Sequence, residues 1–334
     1  MIRSAIVGCG NIASVHAAVL SGSNDTTLCA CADIIVDRAR RMAETYQVPA
    51  YDNLAQMLAS EKPDVLHICT PHYLHVPMAV EAFKQGVHVF MEKPAAMDAA
   101  DFSKLVSACQ KSGLYTGVCF QNRYNPQVQY VKAALESGEA GRILGARAVV
   151  TWSRGEKYYT ESGWRGQKAL EGGGALMNQS IHTMDLLVHL LGRPQSVAAS
   201  MHNRHLPGII EVEDTVEAFI RFKNAQALFY ASTAYAVDAP VMVEIVCEKV
   251  AYTIEGDEVT VKSRGGAADV IAMQPPKALG KSYWGGSHKL CIDDFYQALA
   301  AGKPFCLTPA DIAPTMALVY GCYQSAQAGQ PVLL

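Results

Sequence analysis

The sequence predicts an α/β protein in two parts: a doubly wound parallel sheet, then an α+β half built on a large, mostly antiparallel sheet. Three observations carry this. Over residues 1–121, short apolar runs alternate with stretches of helical period, as strand–helix–strand units do. Past residue 121, strand-like runs follow one another with no helices between them, which suits an antiparallel sheet with helices on one face. The 334 residues suit about two domains at roughly 150 residues each.

In order, residues 2–7 read as a buried strand and 11–20 repeat apolar residues at helical spacing. A second strand is expected at 27–32 and a basic-faced helix at 36–46. Further strands at 65–69, 87–91 and 115–120 alternate with helices at 74–84 and 102–112. A helix at 126–137 leads into a strand at 143–152. A Gly- and Tyr-rich stretch follows, and then 174–191 reads as one helix. Strands come next at 215–222, 227–233, 241–247, 251–254 and 259–262. In the first of these Val216, Ala218, Ile220 and Phe222 share a face. A surface loop is expected at 264–281, around Gly265, Gly266, Pro275 and Pro276, and helices at 287–300 and 308–328 close the chain.

Composition excludes several classes. Lys plus Arg number 28 and Asp plus Glu 31, for a net charge of −3, so no basic stripe for nucleic acid is expected. No run approaches the length of a membrane span, and residues 1–10 hold only a short apolar stretch, broken by Gly8 and Gly10, so no signal peptide is expected. Ten cysteines without framework spacing read as reduced thiols of a cytoplasmic protein.

The first chemical motif is Gly8-Cys9-Gly10-Asn11-Ile12-Ala13, between the first strand and the first helix. It has the form G-x-G-x-x-G/A. Gly8 permits the tight turn, Gly10 lets backbone approach a pyrophosphate, and Ala13 allows close helix–strand packing. The helix start adds free N–H groups and a positive dipole end. Asp33 ends the second strand, where a carboxylate accepts ribose hydroxyls and repels a 2′-phosphate. NAD is therefore expected over NADP, although Arg38 and Arg40 lie downstream. Two later strand ends carry Thr70-Pro71, with His72 and His75, and Glu92-Lys93-Pro94. Ligands bind at such ends in doubly wound sheets. Pro94 restrains Lys93 to extended backbone, which aims it into the crevice.

These segments, GCGNIA at 8–13, Asp33, DVLHICTPHYLH at 64–75, MEKP at 91–94 and GGGALMNQSIHTMDLL at 172–187, resemble the Gfo/Idh/MocA oxidoreductases. Within that family, residues 158–182 are similar to sugar and nucleotide-sugar dehydrogenases. The resemblance implies a dinucleotide-binding Rossmann domain at 1–121 and a substrate-binding and oligomerisation domain at 122–334. It also implies hydride transfer between nicotinamide and a secondary alcohol or ketone of a sugar, cyclic polyol or nucleotide sugar. Lys93 would be the acid/base residue, and His182 with Asn178 would complete the catalytic site. Gly8, Gly10, Asn11, Ile12, Asp33, Thr70, Pro71, His75, Glu92 and Lys93 would line the cofactor, joined by Trp164 and Arg165.

The residues read the same way. Asn178, His182 and Asp185 recur at helical spacing and share a face, and Gly172, Gly173 and Gly174 before them would admit a substrate closely. Arg123, Tyr158 and His288 are further substrate candidates. Many polyol dehydrogenases of the family carry Asp where this chain has Asn178. An amide cannot take a proton there, so proton transfer falls on Lys93 or His182, while Asn178 can still hold a sugar hydroxyl.

Two rival readings exist. His182, Asp185 and His189, with His72 and His75, offer metal-type ligands, but His189 sits within the apolar run 186–191 and no Cys pair has zinc spacing, so no metal is expected. The same fold also serves non-catalytic sensing of sugars or dinucleotides, against which Lys93 and His182 argue. Apolar residues on both faces of the second sheet, Phe219 and Phe229 as well as Ile220, point to a homodimer or homotetramer.

Overall fold

The computed structural model describes residues 1–277, 279 and 286–334. The chain runs through β1 (Ile2–Val7), α1 (Asn11–Ser21), β2 (Thr26–Ala32), α2 (Val36–Tyr46), β3 (Ala50–Tyr51) and α3 (Leu54–Glu61). Then come β4 (Val65–Ile68), α4 (His75–Lys84), β5 (His88–Met91), α5 (Ala99–Ser112) and β6 (Thr116–Val118). Next are α6 (Pro126–Glu136), β7 (Ile143–Thr151), α7 (Glu156–Thr160), α8 (Lys168–Glu171), a π-helical turn over Ala175–Ser180 and α9 (Ile181–Leu191). Strands β8 (Pro194–His202), β9 (Thr215–Phe222), β10 (Gln226–Ser232), β11 (Met242–Cys247), β12 (Val250–Glu255), β13 (Glu258–Ser263) and β14 (Ala268–Ala272) follow. The chain ends with α10 (His288–Ala301), α11 (Ala313–Ala328) and β15 (Val332–Leu333).

Contacts divide it into two compact units, Met1–Gln121 with Pro276–Ile312, and Asn122–Pro275 with Ala313–Leu334. The first unit takes in residues 276–312 as well as 1–121. The cause is aromatic packing. Phe295 of α10 meets Phe90 of β5 at 5.1 Å and Phe305 at 5.4 Å between ring centroids. Gly117 of β6 leaves room for these rings, since a Cβ there would lie 2.8 Å from both Phe90 and Phe295.

The first unit holds a six-stranded parallel sheet in the order β3-β2-β1-β4-β5-β6. The chain switches direction across the sheet at β1, which pairs with both β2 and β4. Its central strands are buried on both faces, so they read as apolar runs. The register pairs Val7 with Ala32, Val7 with Ile68, and Ile68 with Met91. The carboxyl ends of β1, β2, β4 and β5 are therefore level, and Gly8, Asp33, Thr70 and Lys93 follow them along one edge.

The second unit holds nine strands in the order β14-β13-β12-β11-β7-β10-β9-β8-β15. Only β7 and β10 pair in parallel. Helix α11 packs on β8 and α9 on β7. Ile220 and Phe229 are buried, whereas Leu228 on the other face is 59% exposed. Phe229 thus belongs to the covered face with Ile220, not to the opposite one.

Several elements differ from expectation. Residues 174–191 are not one helix, because the π turn precedes α9. Strand β14 forms inside the expected loop 264–281, of which 278, 280 and 281 lie outside the described residues. The closing helix begins at Ala313 instead of 308. Among the described residues no helix is long and apolar enough to cross a membrane.

Candidate active site

The two glycines of the first turn differ in what the fold asks of them. Gly8 has φ +85°, and a Cβ there would lie 2.7 Å from the backbone of Cys69, so the fold itself requires this glycine. A Cβ on Gly10 would meet nothing within 4 Å, so nothing in the chain requires that one. Open space above backbone at a helix start is what a pyrophosphate needs. Gly10 caps α1, whose first residues are Asn11 and Ile12, and Ala13 is fully buried. Asp33 is bound into the same turn: its Oδ2 accepts from Cys9 N–H at 2.8 Å and its Oδ1 from Ile35 N–H at 2.8 Å. Each carboxylate oxygen has a further lone pair for a ribose hydroxyl. Arg40 lies near Asp37 at 3.8 Å, which offsets its charge toward a 2′-phosphate.

At the next strand end, Thr70 Oγ1 is buried with no hydrogen-bond partner among the described residues. Such an orphan calls for an outside partner. Pro71 follows it and opens a short helical turn, in which His72 is buried. His75 does not line the cofactor side as the resemblance implies. Its ring is fully buried, with Nδ1 2.7 Å from Pro94 O and Nε2 2.9 Å from Thr70 O; a neutral ring carries one N–H and donates to one of these two carbonyls. Burial holds its pKa below the ordinary histidine value.

Glu92 and Lys93 follow β5. Lys93 is half-buried and joined to Pro94 by a cis peptide bond. Glu92, expected at the cofactor, is turned into the core, its Oε1 3.0 Å from His16 Nε2. From there His16 Nδ1 lies 2.8 Å from His67 Nδ1, His67 Nε2 lies 2.8 Å from Tyr296 Oη, and Tyr296 Oη lies 2.5 Å from Ser4 Oγ. Burial would raise the Glu92 carboxyl. The hydrogen bond and charge of His16, with the charges of His288 and Lys93, outweigh it and hold the group well below the usual carboxylate range. Burial would likewise lower His16, but the Cys69 and Cys119 sulfurs and the Glu92 carboxylate carry it well above its ordinary value. His67 is pushed down by burial and by His16. A protonated His16 then donates from both nitrogens, to Glu92 and to a neutral His67. His288, a substrate candidate from sequence, is also buried in this unit with its ring 6.5 Å from His16, and burial lowers it to about 4.

In the second unit, Asn178 lies in the π turn and His182 opens α9, half-buried. Asp185 and Arg123, both expected at the substrate, are bound to each other. Arg123 donates from Nε to Oδ2 at 2.8 Å and from Nη2 to Oδ1 at 2.6 Å, and Thr315 adds 2.8 Å to Oδ1. With Asp185 held this way, the sequence's His182–Asp185–His189 ligand set is not assembled. The described residues with ligand atoms close together are instead His16, Glu92 and Cys119 of the first unit, whose nitrogen and oxygen already bond each other. Tyr158 accepts from Gln179 Nε2 at 2.6 Å and lies beneath the guanidinium of Arg165, 4.6 Å from its ring centroid. Arg165 also covers the ring of Trp164 at 4.8 Å.

Gly173 and Gly174 are required by packing. A Cβ on Gly173 would lie 1.8 Å from Tyr323 Oη, and one on Gly174 would lie 2.2 Å from Glu213 O. Two acids that sequence reasoning passed over organise this turn. Glu213 Oε1 accepts from Gly174 N–H at 3.0 Å, Leu176 N–H at 2.9 Å and Tyr323 Oη–H at 2.9 Å. Glu171 accepts from Gly166 N–H at 2.5 Å and from Asn178 Nδ2 at 2.6 Å. The available signal was their place, one directly before the glycines and the other just before a buried strand.

The oxidoreductase family with an NAD-binding Rossmann fold, GFO_IDH_MocA, matches residues 2–120, and the GFO/IDH/MocA C-terminal domain matches 128–253. D-glucoside 3-dehydrogenase of Escherichia coli (strain K12) is 30% identical over 258 residues, 71% of each chain. The chain belongs to the Gfo/Idh/MocA family of oxidoreductases. Residues 2–120 are that family's Rossmann domain, and NAD is its cofactor. Levoglucosan dehydrogenase of Pseudarthrobacter phenanthrenivorans is 29% identical over 187 residues, 49% of this chain and 48% of that one. Among solved structures, the WlbA dehydrogenase from Bordetella pertussis, in complex with NADH and UDP-GlcNAcA, is 28% identical with a TM-score of 0.87, covering 100% of this chain and 98% of that one.

Proposed function

We propose that this oxidoreductase interconverts a secondary hydroxyl and a ketone on the ring of a sugar or nucleotide sugar, with Lys93 as the acid/base residue. The observation that carries it is the level row of strand ends, which puts Lys93 on the same edge as Gly10, Asp33 and Thr70. NAD, when bound, supplies the hydride acceptor. Gly10 backbone and the start of α1 hold its phosphates, Asp33 holds its adenosine ribose, and Thr70 Oγ1 donates to it. In the oxidation direction neutral Lys93 takes the hydroxyl proton as the carbon is oxidised, and in reduction the ammonium returns it. His75 holds Pro94 in place behind Lys93. Asn178 and His182 hold sugar hydroxyls. The substrate class comes from relatives named D-glucoside 3-dehydrogenase and levoglucosan dehydrogenase, and from the UDP-GlcNAcA bound by the similar WlbA enzyme. We also propose that the exposed sheet face of the second unit pairs with a second copy.

The test is NADH formation from methyl β-D-glucoside, levoglucosan, myo-inositol and UDP-GlcNAcA, with wild type and Lys93→Ala. The expected result is turnover of at least one sugar, reduced in the variant by roughly 10²- to 10⁴-fold, the usual worth of a general base. Retained NAD binding in the variant, by fluorescence titration, separates chemistry from folding. Full activity without Lys93 would remove the assignment.

A further inference from the structure

We propose that Arg165 is a specificity-determining residue that binds an oxyanion carried by the sugar. The substrate is then an acidic sugar: a uronate, held by its carboxylate, or a nucleotide sugar, held by its pyrophosphate. The inference rests on the proposed reaction at a sugar ring and narrows its substrate.

The guanidinium is held by its faces and open at its end. It lies over the ring of Tyr158 at 4.6 Å and over that of Trp164 at 4.8 Å, contacts that fix a planar cation in one orientation. Among the described residues its N–H groups meet no hydrogen-bond acceptor and no ion-pair partner. Nε is closed off from water, while the two Nη nitrogens are open. A cation so covered is only partly hydrated, and an oxyanion reaching both Nη nitrogens makes the paired bonds that a planar fork offers. Arg154 shows the contrast. It lies over the same Tyr158 ring at 5.5 Å, but it donates to Asp238 at 2.9 Å and to Gln179 Oε1 at 3.2 Å. The acid whose charge acts on Arg165 is Glu171, and its oxygens accept from Gly166 N–H and Asn178 Nδ2.

The loop fixes where this charge stands. Ser162 Oγ accepts from Arg165 N–H at 2.8 Å. Gly166 has φ +79°, and a Cβ there would lie 2.8 Å from Ile210, so the turn after Arg165 requires glycine. Tyr158 Oη accepts from Gln179 Nε2 at 2.6 Å, and Gly166 is joined through Glu171 to Asn178. Arg165 therefore stands beside the turn that carries Asn178. In the proposed reaction the cofactor's phosphates are held by Gly10 backbone and the start of α1, which leaves the charge of Arg165 to the substrate.

The test compares kcat/KM at saturating NAD for methyl β-D-glucoside, methyl β-D-glucuronide, UDP-glucose and UDP-GlcNAcA, in wild type, Arg165→Gln and Arg165→Lys. Wild type should favour at least one acidic sugar over the glucoside by about tenfold or more. Arg165→Gln should lower kcat/KM for that sugar roughly 10- to 100-fold, the worth of one charged hydrogen bond, and for the glucoside less than about threefold. Arg165→Lys, which keeps the charge but not the fork, should restore part of the loss. A loss with the glucuronide and UDP-GlcNAcA assigns the carboxylate, and a loss with UDP-glucose and UDP-GlcNAcA assigns the pyrophosphate. An equal loss for the glucoside overturns the proposal and makes Arg165 part of the fold. An NAD affinity that falls by the same factor, in a fluorescence titration, overturns it as well and makes Arg165 the cofactor contact that the resemblance implies. If Arg165→Gln fails to fold, the preference of wild type decides, and a preference for the neutral glucoside overturns the proposal. Equilibrium dialysis of methyl β-D-glucuronide and of UDP against NAD-loaded protein reads the same site without turnover. Wild type should bind at least one of them, and Arg165→Gln should bind it roughly tenfold more weakly or worse. Absence of turnover with every sugar would count against the proposed reaction, while the dialysis would still decide whether Arg165 holds an oxyanion.

Discussion

Glu92 is one peptide bond from Lys93, yet its carboxylate belongs to the core. The pair it forms with His16 is buried, with 0% and 9% side-chain exposure, so the two charges stabilise each other without screening by water. Each partner contributes over a different pH range. The folded-state pKa of Glu92 is depressed, so its contribution is present above the unfolded carboxylate value and lost as pH falls through the folded one. That of His16 is raised, so its contribution is full below the unfolded histidine value and lost as pH rises through the folded one. The pair is therefore strongest between about pH 4.5 and 6.5, the two unfolded values. Glu92→Gln should cost roughly 3 kcal/mol in urea unfolding at pH 6 and clearly less at pH 9. An equal cost at both pH values would mean that His16 is neutral and the contact an ordinary hydrogen bond.

Elements show which parts of the fold are local enough to read. The β1–α1–β2 unit was legible because its strands, turn and terminal Asp are contiguous, and each residue type answers to one constraint. Helix α3 was not, since its eight residues are mostly polar on the outside and are started by an Asn53 cap, Oδ1 accepting from Gln56 N–H at 3.0 Å. Strand β8, opening with Pro194 and interrupted by Ser196 and Ser200, has no long apolar run and takes its place from β9 beside it. Partnerships across long stretches of chain were hidden as well. His16 and Glu92 lie 76 residues apart, and Arg123 and Asp185 lie 62 apart, so single candidates could be named but not paired. Glycines divide along the same line. Gly10→Ala should change stability by no more than about 1 kcal/mol, the scale of a helix cap, while weakening NAD roughly tenfold or more. Gly173→Ala should instead lower the melting temperature or prevent folding, because its Cβ meets Tyr323. Thermal melts and NAD titrations of the two variants check this. A destabilised Gly10→Ala with unchanged NAD affinity would assign Gly10 to the fold.

At the scale of the whole molecule, one face of the second sheet has no layer over it among the described residues of its own unit. On β10 Leu228 lies beside Phe219 of β9, and next to it Arg147 of β7 pairs with Glu244 of β11 at 2.7 Å. Val270 of β14 is 60% exposed on the same face. The inner face needs α9 and α11 to bury Ile220 and Phe229, so the outer face is the part of this sheet still in want of a cover. A second copy provides one at no cost in sequence, because a two-fold axis sets identical sheets against each other. Light scattering should therefore give at least twice the mass of one chain at assay concentration. Leu228→Glu would place a charge at the centre of that contact and should yield monomers with near-native secondary structure, since Leu228 serves no core in its own chain. A wild type that is monomeric, or an assembly indifferent to Leu228→Glu, would show that the sheet meets water directly and that its apolar residues are held there by β-propensity alone.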